Sequence, residues 1–80
     1  MKYVYLLESI NSPAENYVGL ADDLRKRLAA HNAGQSPHTK KFKPWRLVTY
    51  VAFSDDKKAV DFERYLKSSS GRAFAKKRLR

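Results

Sequence analysis

Eighty residues without a single cysteine leave this chain one way to hold a fold: it must bury enough apolar side chain in one small core. No disulfide can staple it, and no thiolate can hold a zinc ion for it. The apolar share of 42% supports one thin core. We therefore expect a single domain over residues 1–80, of α+β or α/β class, in preference to anything layered three deep. The lack of thiols also fits a reducing cytoplasm. The N-terminal apolar run ends at Glu8, too short for a signal peptide or a membrane span.

Period-two and helical patterns then divide the chain. Residues 3–7 are aromatic and β-branched and read as a strand, with Tyr3, Tyr5 and Leu7 on one face and Val4 and Leu6 on the other. A polar turn holding Pro13 follows, and residues 17–20 return as a second strand, an antiparallel hairpin. Asp22 or Asp23 can cap a helix from Leu24 to about Asn32, with Gly34 as its C′ residue. Residues 35–44 read as a loop. Residues 47–53 are apolar on both faces, which predicts a central or covered strand. Ser54 or Asp55 caps a helix over residues 56–68 that Gly71 ends, and residues 72–80 form a basic terminal helix. The expected order is β-β-α-β-α-α, a small three-stranded antiparallel sheet flanked by helices.

Seventeen Lys and Arg against eight Asp and Glu leave a formal net charge of +9. In a domain this small, such an excess points to a polyanion, nucleic acid foremost, with DNA or RNA both open. Lys40, Lys41, Lys43 and Arg46 cluster around Trp45, while Arg72, Lys76, Lys77, Arg78 and Arg80 crowd the C-terminus; both groups are expected phosphate contacts. Trp45 can stack on a base, but an aromatic entering a strand behind Pro44 is more often a core cap. His38 and Thr39 read as solvated loop residues.

One acid stands where charge is costly. At about 100° per residue, Ala59, Phe62 and Leu66 make an apolar stripe, and Glu63 projects between Ala59 and Val60 on the same side. Burying an ionised carboxylate costs several kcal/mol unless a partner or a metal ion offsets it. Glu63 is thus the first candidate for a metal or catalytic carboxylate. On the preceding helix Arg27 and His31 lie one turn apart, so their heads can converge at the edge of the core, while Arg25 and Lys26 point to solvent. With Tyr5 and Tyr17 they suit a phosphodiester site. Arg stabilises charge developing on phosphorus, His positions or protonates, and Glu holds a divalent ion.

These residues, in this order, resemble the GIY-YIG nuclease family, most closely its small stand-alone bacterial members, over essentially the whole chain. The first family motif corresponds to Tyr3-Val4-Tyr5 and the second to Tyr17-Val18-Gly19. The family's arginine falls on Arg27, the His or Tyr one turn on falls on His31, and the metal-binding glutamate on Glu63. The resemblance implies a DNA endonuclease using one divalent metal, Mg²⁺ or Mn²⁺, with either Tyr5 or Tyr17 as general base or positioner of the attacking water. A single carboxylate is a sparse Mg²⁺ site, adequate because Mg²⁺ keeps several waters and takes a substrate phosphate oxygen. The chain departs from the family in having Tyr3 for the first glycine and no asparagine after Asn32. It also lacks the extra DNA-binding domain of many relatives, so a protein partner would have to supply targeting.

Overall fold

A strand that is apolar on both sides needs cover on both sides, and residues 2–9 meet that need by becoming the centre of the sheet. The computed structural model describes residues 1–80. Its elements are β1 (Lys2–Ser9), β2 (Asn16–Ala21), α1 (Leu24–Asn32), a single 3₁₀ turn (Lys40–Phe42), β3 (Trp45–Phe53), α2 (Asp56–Lys67) and α3 (Ser69–Arg78). The sheet is antiparallel with order β2-β1-β3, as the β-β-α-β-α-α pattern implied. The run at residues 47–53 is not central, however. β3 is an edge strand, and its Tyr50 is 53% exposed. The misreading came from Val48: Leu6 pairs with Thr49 and Leu7 with Leu47, so Val48 is the extra residue of a bulge that shifts the alternation.

The two faces of β1 are covered by different helices. Val4 and Leu6 pack with Ala59 and Leu66 of α2 and Ala75 of α3, joined by Val18, Phe53 and Phe62. Tyr5 and Leu7 pack with Ala21 and Trp45, joined by Tyr17 and by Leu24 and Leu28 of α1. The domain is therefore three layers deep, contrary to the expectation from its size. Its middle layer is one small sheet, so a few large side chains suffice on each side.

Caps define the helices. The Asp23 carboxylate accepts from the Lys26 amide, and Gly34 takes the positive φ of 76° beyond the end of α1. Asp55 accepts from the amides of Lys57 and Lys58 and starts α2. The α2–α3 boundary differs from the sequence reading. Ser68 ends α2 and caps α3, its hydroxyl donating to the Tyr65 carbonyl and accepting from the Gly71 amide. Gly71 lies inside the first turn of α3, where it lets α3 fold back against the Tyr65 carbonyl. No helix is long and apolar enough to cross a membrane.

Candidate active site

Tyr5 rises from the middle of β1 into the α1 side of the sheet and is almost completely buried. Its cross-strand partner is Gly19, whose missing side chain leaves room for the phenol ring. Two residues before Gly19 on the same face of β2, Tyr17 brings its ring to 6.3 Å from that of Tyr5. From α1, His31 comes to within 2.8 Å of the Tyr5 hydroxyl through Nε2, and Arg27 donates to the same oxygen through Nε at 3.3 Å. The His31 and Tyr17 rings meet edge to face at 5.1 Å. Four of the five residues singled out from sequence thus touch one another.

Glu63 approaches from α2. Its side chain is 13% exposed, on the apolar side of the helix as expected, and it forms an ion pair with Lys67 one turn on. The Lys67 ammonium in turn lies 6.0 Å from the centroid of the Tyr17 ring. No cluster of three or more His, Asp or Glu side chains occurs anywhere in the chain. The donor set is thus one hard carboxylate, which suits a largely hydrated Mg²⁺ or Mn²⁺ ion and not zinc.

The electrostatics follow from packing. Burial pushes the Tyr5 phenol above its ordinary value of 10.0, against the Arg27 hydrogen bond, which pulls it down; the Tyr17 and Glu63 charges add to the rise. The same hydrogen bond holds Arg27 above its usual range. Burial, and then the Arg27 charge, lower His31 below 6.5, so it is neutral at physiological pH. Arg27 has no carboxylate partner in the chain. The site therefore presents a fixed cation over a protonated phenol, a neutral imidazole and one carboxylate.

Sequence reasoning missed two members. Thr39, read as a solvated loop residue, is fully buried, with Oγ1 2.6 Å from His31 Nδ1. Trp45, read as a core cap, is such a cap, and its indole N–H donates to the Thr39 carbonyl at 2.8 Å. Lys67 was an undistinguished surface lysine. Only the i,i+4 spacing from Glu63 marked it.

The basic residues divide. Lys40, Lys41 and Lys43 are exposed on or beside the 3₁₀ turn that carries Thr39. Arg46 instead donates through Nε and Nη2 to the Glu8 carboxylate. On the opposite side of the sheet, a groove of about 500 Å³ is lined by Tyr17, Lys67, Arg72 and Arg80 above an apolar floor of Leu6 and Leu66. Lys76 and Lys77 are exposed but lie outside it.

Fold and cluster together make a small α+β domain in which Arg27, without a carboxylate partner, donates to a buried phenol. A family model described as the GIY-YIG catalytic domain matches residues 1–78, and the chain belongs to this nuclease family. A UPF0213 protein of Streptococcus pyogenes serotype M3 is 33% identical over 72 residues, covering 89% of this chain and 76% of that protein. The structure-specific endonuclease subunit SLX1 homolog of Giardia intestinalis is 35% identical over 65 residues, 76% of this chain; the match spans 18% of that protein's length. The solution NMR structure of the UPF0213 protein BH0048 of Bacillus halodurans superposes with a TM-score of 0.53 at 30% identity, over 91% of this chain and 80% of that one.

Proposed function

We propose that this protein is an endonuclease that hydrolyses DNA phosphodiester bonds with the help of one divalent cation, Mg²⁺ or Mn²⁺, and that Tyr5, Tyr17, Arg27, His31 and Glu63 form its catalytic site. The observation that carries the reading is the Tyr5 oxygen, which receives Arg27 and His31 together beside Tyr17. The ring packs in the core, but a core tyrosine needs one hydroxyl partner, and this one has two nitrogen groups. It is well suited to exchanging a proton with a water molecule.

In this mechanism Arg27 faces the scissile phosphate with the part of its guanidinium that Tyr5 leaves free, and stabilises the charge that builds on phosphorus. Tyr5, not Tyr17, is the base, because only the Tyr5 oxygen is met by both His31 and Arg27, whose N–H groups stabilise the anion. Its own proton passes first to solvent, and the resulting phenolate accepts the proton of the attacking water. Water oxygen bonds to phosphorus as the phosphorus–oxygen ester bond breaks, and the leaving oxygen takes up a proton from solvent to give the free hydroxyl. Glu63 would hold the cation, which when bound would supply Lewis-acid polarisation of the phosphate. Lys67 would have to leave Glu63 for this, and DNA phosphates would offer its ammonium an alternative partner. Tyr17 closes the site and leads to the groove with Lys67, Arg72 and Arg80.

The Giardia relative is named a structure-specific endonuclease subunit. From that name we carry over to this chain a preference for DNA structure over sequence and a protein partner that supplies targeting; a cytoplasmic role in repair or recombination is our own proposal for such a nuclease. The test is a panel of branched, flapped and single-stranded DNAs with Mg²⁺ or Mn²⁺, run on wild type beside Arg27→Ala and Glu63→Ala. Wild type should nick at least one substrate, and each variant should lose on the order of 10²–10³ in rate. Tight binding without nicking of any substrate would make the chain a nucleic-acid-binding module; equal cleavage by Glu63→Ala would refute the site.

A further inference from the structure

The buried hydroxyl of Thr39 has a single neighbour. Its Oγ1 sits 2.6 Å from Nδ1 of His31 and makes no other hydrogen bond. Thr39 and His31 are both completely buried, so neither has water to fall back on. The threonine backbone is pinned as well: its carbonyl receives the Trp45 indole N–H at 2.8 Å and the Phe42 amide at 3.2 Å, and its amide donates to Ser36. This is a built position in the loop between α1 and β3.

A count of protons gives the chain of hydrogen bonds its direction. If Nδ1 of His31 carried the hydrogen, it would donate to Oγ1, and the threonine O–H would be left buried with nothing to accept it. An unmet buried donor costs on the order of 1–3 kcal/mol. If instead the threonine donates to Nδ1, the imidazole hydrogen sits on Nε2, and the one hydrogen without an acceptor is that of Tyr5. That hydrogen is gone when Tyr5 acts as the phenolate, and in that state every donor from Thr39 to Tyr5 is used. The Tyr5 oxygen accepts from two N–H groups, Nε2 of His31 and Nε of Arg27, and in the neutral phenol its own hydrogen is free to turn toward the substrate side.

We propose that Thr39 is a positioning residue for the nuclease site: by donating to Nδ1 it selects the Nε2–H tautomer of His31, so that His31 and Arg27 together hold the Tyr5 oxygen as the anion it becomes when it acts as a base. The catalytic consequence rests on the nuclease reading above; the tautomer itself does not. Charged or titratable groups reach Tyr5 from three other elements, Arg27 of α1, Tyr17 of β2 and Glu63 of α2. None of these hydrogen-bonds to Nδ1, whose one partner is Thr39, so the threonine sets the tautomer from that side of the ring.

The experiment compares wild type, Thr39→Val and Thr39→Ser. Nitrogen-15 spectra of the His31 ring at pH 8, without DNA or metal, should show the hydrogen on Nε2 in wild type and in Thr39→Ser, and a mixture in Thr39→Val. The Tyr5 ring Cζ resonance should titrate at higher pH in Thr39→Val than in wild type, because one donor is no longer held on the phenolate. On a cleaved DNA, Thr39→Val should lose about 10- to 100-fold in kcat with KM for DNA within about two-fold, and Thr39→Ser should recover most of the loss. A hydrogen on Nδ1 in wild type, or a Thr39→Val protein with unchanged Tyr5 titration, overturns the assignment even if no DNA is cut. Equal kcat losses in Ser and Val variants would mean that packing, not the hydroxyl, matters, and would also overturn it. Absence of cleavage by wild type, with the spectra as expected, would count against the nuclease reading and leave the tautomer in place.

Discussion

Gly19 stands directly across the β1–β2 ladder from Tyr5, and a methyl group added there would fall 2.5 Å from the phenol Cζ and 2.9 Å from Cε2 of Tyr17. Both tyrosines would have to move, and neither ring can swing away without leaving the core it packs into. Gly19→Ala should therefore cost about 1–3 kcal/mol in stability, the usual range for overpacking. It should also lower cleavage on the order of 10²-fold by displacing the Tyr5 oxygen from Arg27 and His31. Urea unfolding and single-turnover cleavage measure the two separately. A fully active, equally stable Gly19→Ala protein would mean that the site does not need Tyr5 where it stands.

Much of this was visible in the chain before any coordinates. Alternation along residues 3–7 disclosed both faces of β1, and the asparagine-to-glycine stretch after Leu24 disclosed the end of α1. Aromatic, cationic and acidic residues at the candidate site were legible because each sits on a regular element, where spacing fixes direction. The rest failed for physical reasons. The bulge at Val48 breaks the strand period without any Gly or Pro to announce it. Gly71 looks like a helix terminator, yet it is conscripted into α3 by a backbone contact with Tyr65, which no local pattern encodes. Thr39 lies in an irregular segment, where neighbours in space are not neighbours in sequence, so its contact with His31 was hidden.

If Glu63 holds the proposed cation, its ion pair with Lys67 competes with that cation. In the free protein the Lys67 ammonium already occupies the carboxylate. Partly exposed i,i+4 pairs are worth only a few tenths of a kcal/mol, so the competition is modest. Lys67→Met should lower the Mg²⁺ concentration for half-maximal cleavage by about two-fold, provided DNA is saturating so that loss of a phosphate contact is masked. The Mg²⁺ titration of cleavage by both proteins checks this. A higher Mg²⁺ requirement in the variant would show that Lys67 supports metal binding instead of opposing it.

His31 also gives stability a pH dependence. Its folded-state value lies below 6.5 because burial, and then Arg27, disfavour the imidazolium. Below pH 6.5 the unfolded chain therefore binds a proton that the folded chain refuses, so stability falls as pH drops through this window and levels off below the folded value. Such a group has a limiting slope of about 1.4 kcal/mol per pH unit. Urea midpoints between pH 5 and 8 should decline on the acid side in wild type and decline less in His31→Gln. Parallel curves would place the acid sensitivity elsewhere.

Two arginines that look alike in the sequence should behave differently toward DNA. Arg46 is already engaged by Glu8 through two donors, whereas Arg72 lines the groove that opens beside Tyr17 and Lys67 and has no acid partner. A cation that must give up a carboxylate to meet a phosphate releases little net counterion, while an unpaired one releases nearly its full share. Each true phosphate contact contributes about −0.9 to the slope of log K against log salt for duplex DNA. With about five contacts the wild-type slope should be near −4 to −5. Arg72→Ala should make it shallower by about 1, and Arg46→Ala should leave it nearly unchanged. Binding isotherms of a catalytically silenced Glu63→Ala background, taken from 50 to 200 mM salt as a roughly adequate range, give both slopes directly. The reverse order, with Arg46 carrying the salt dependence, would move the DNA path to the far edge of β3 and away from the groove.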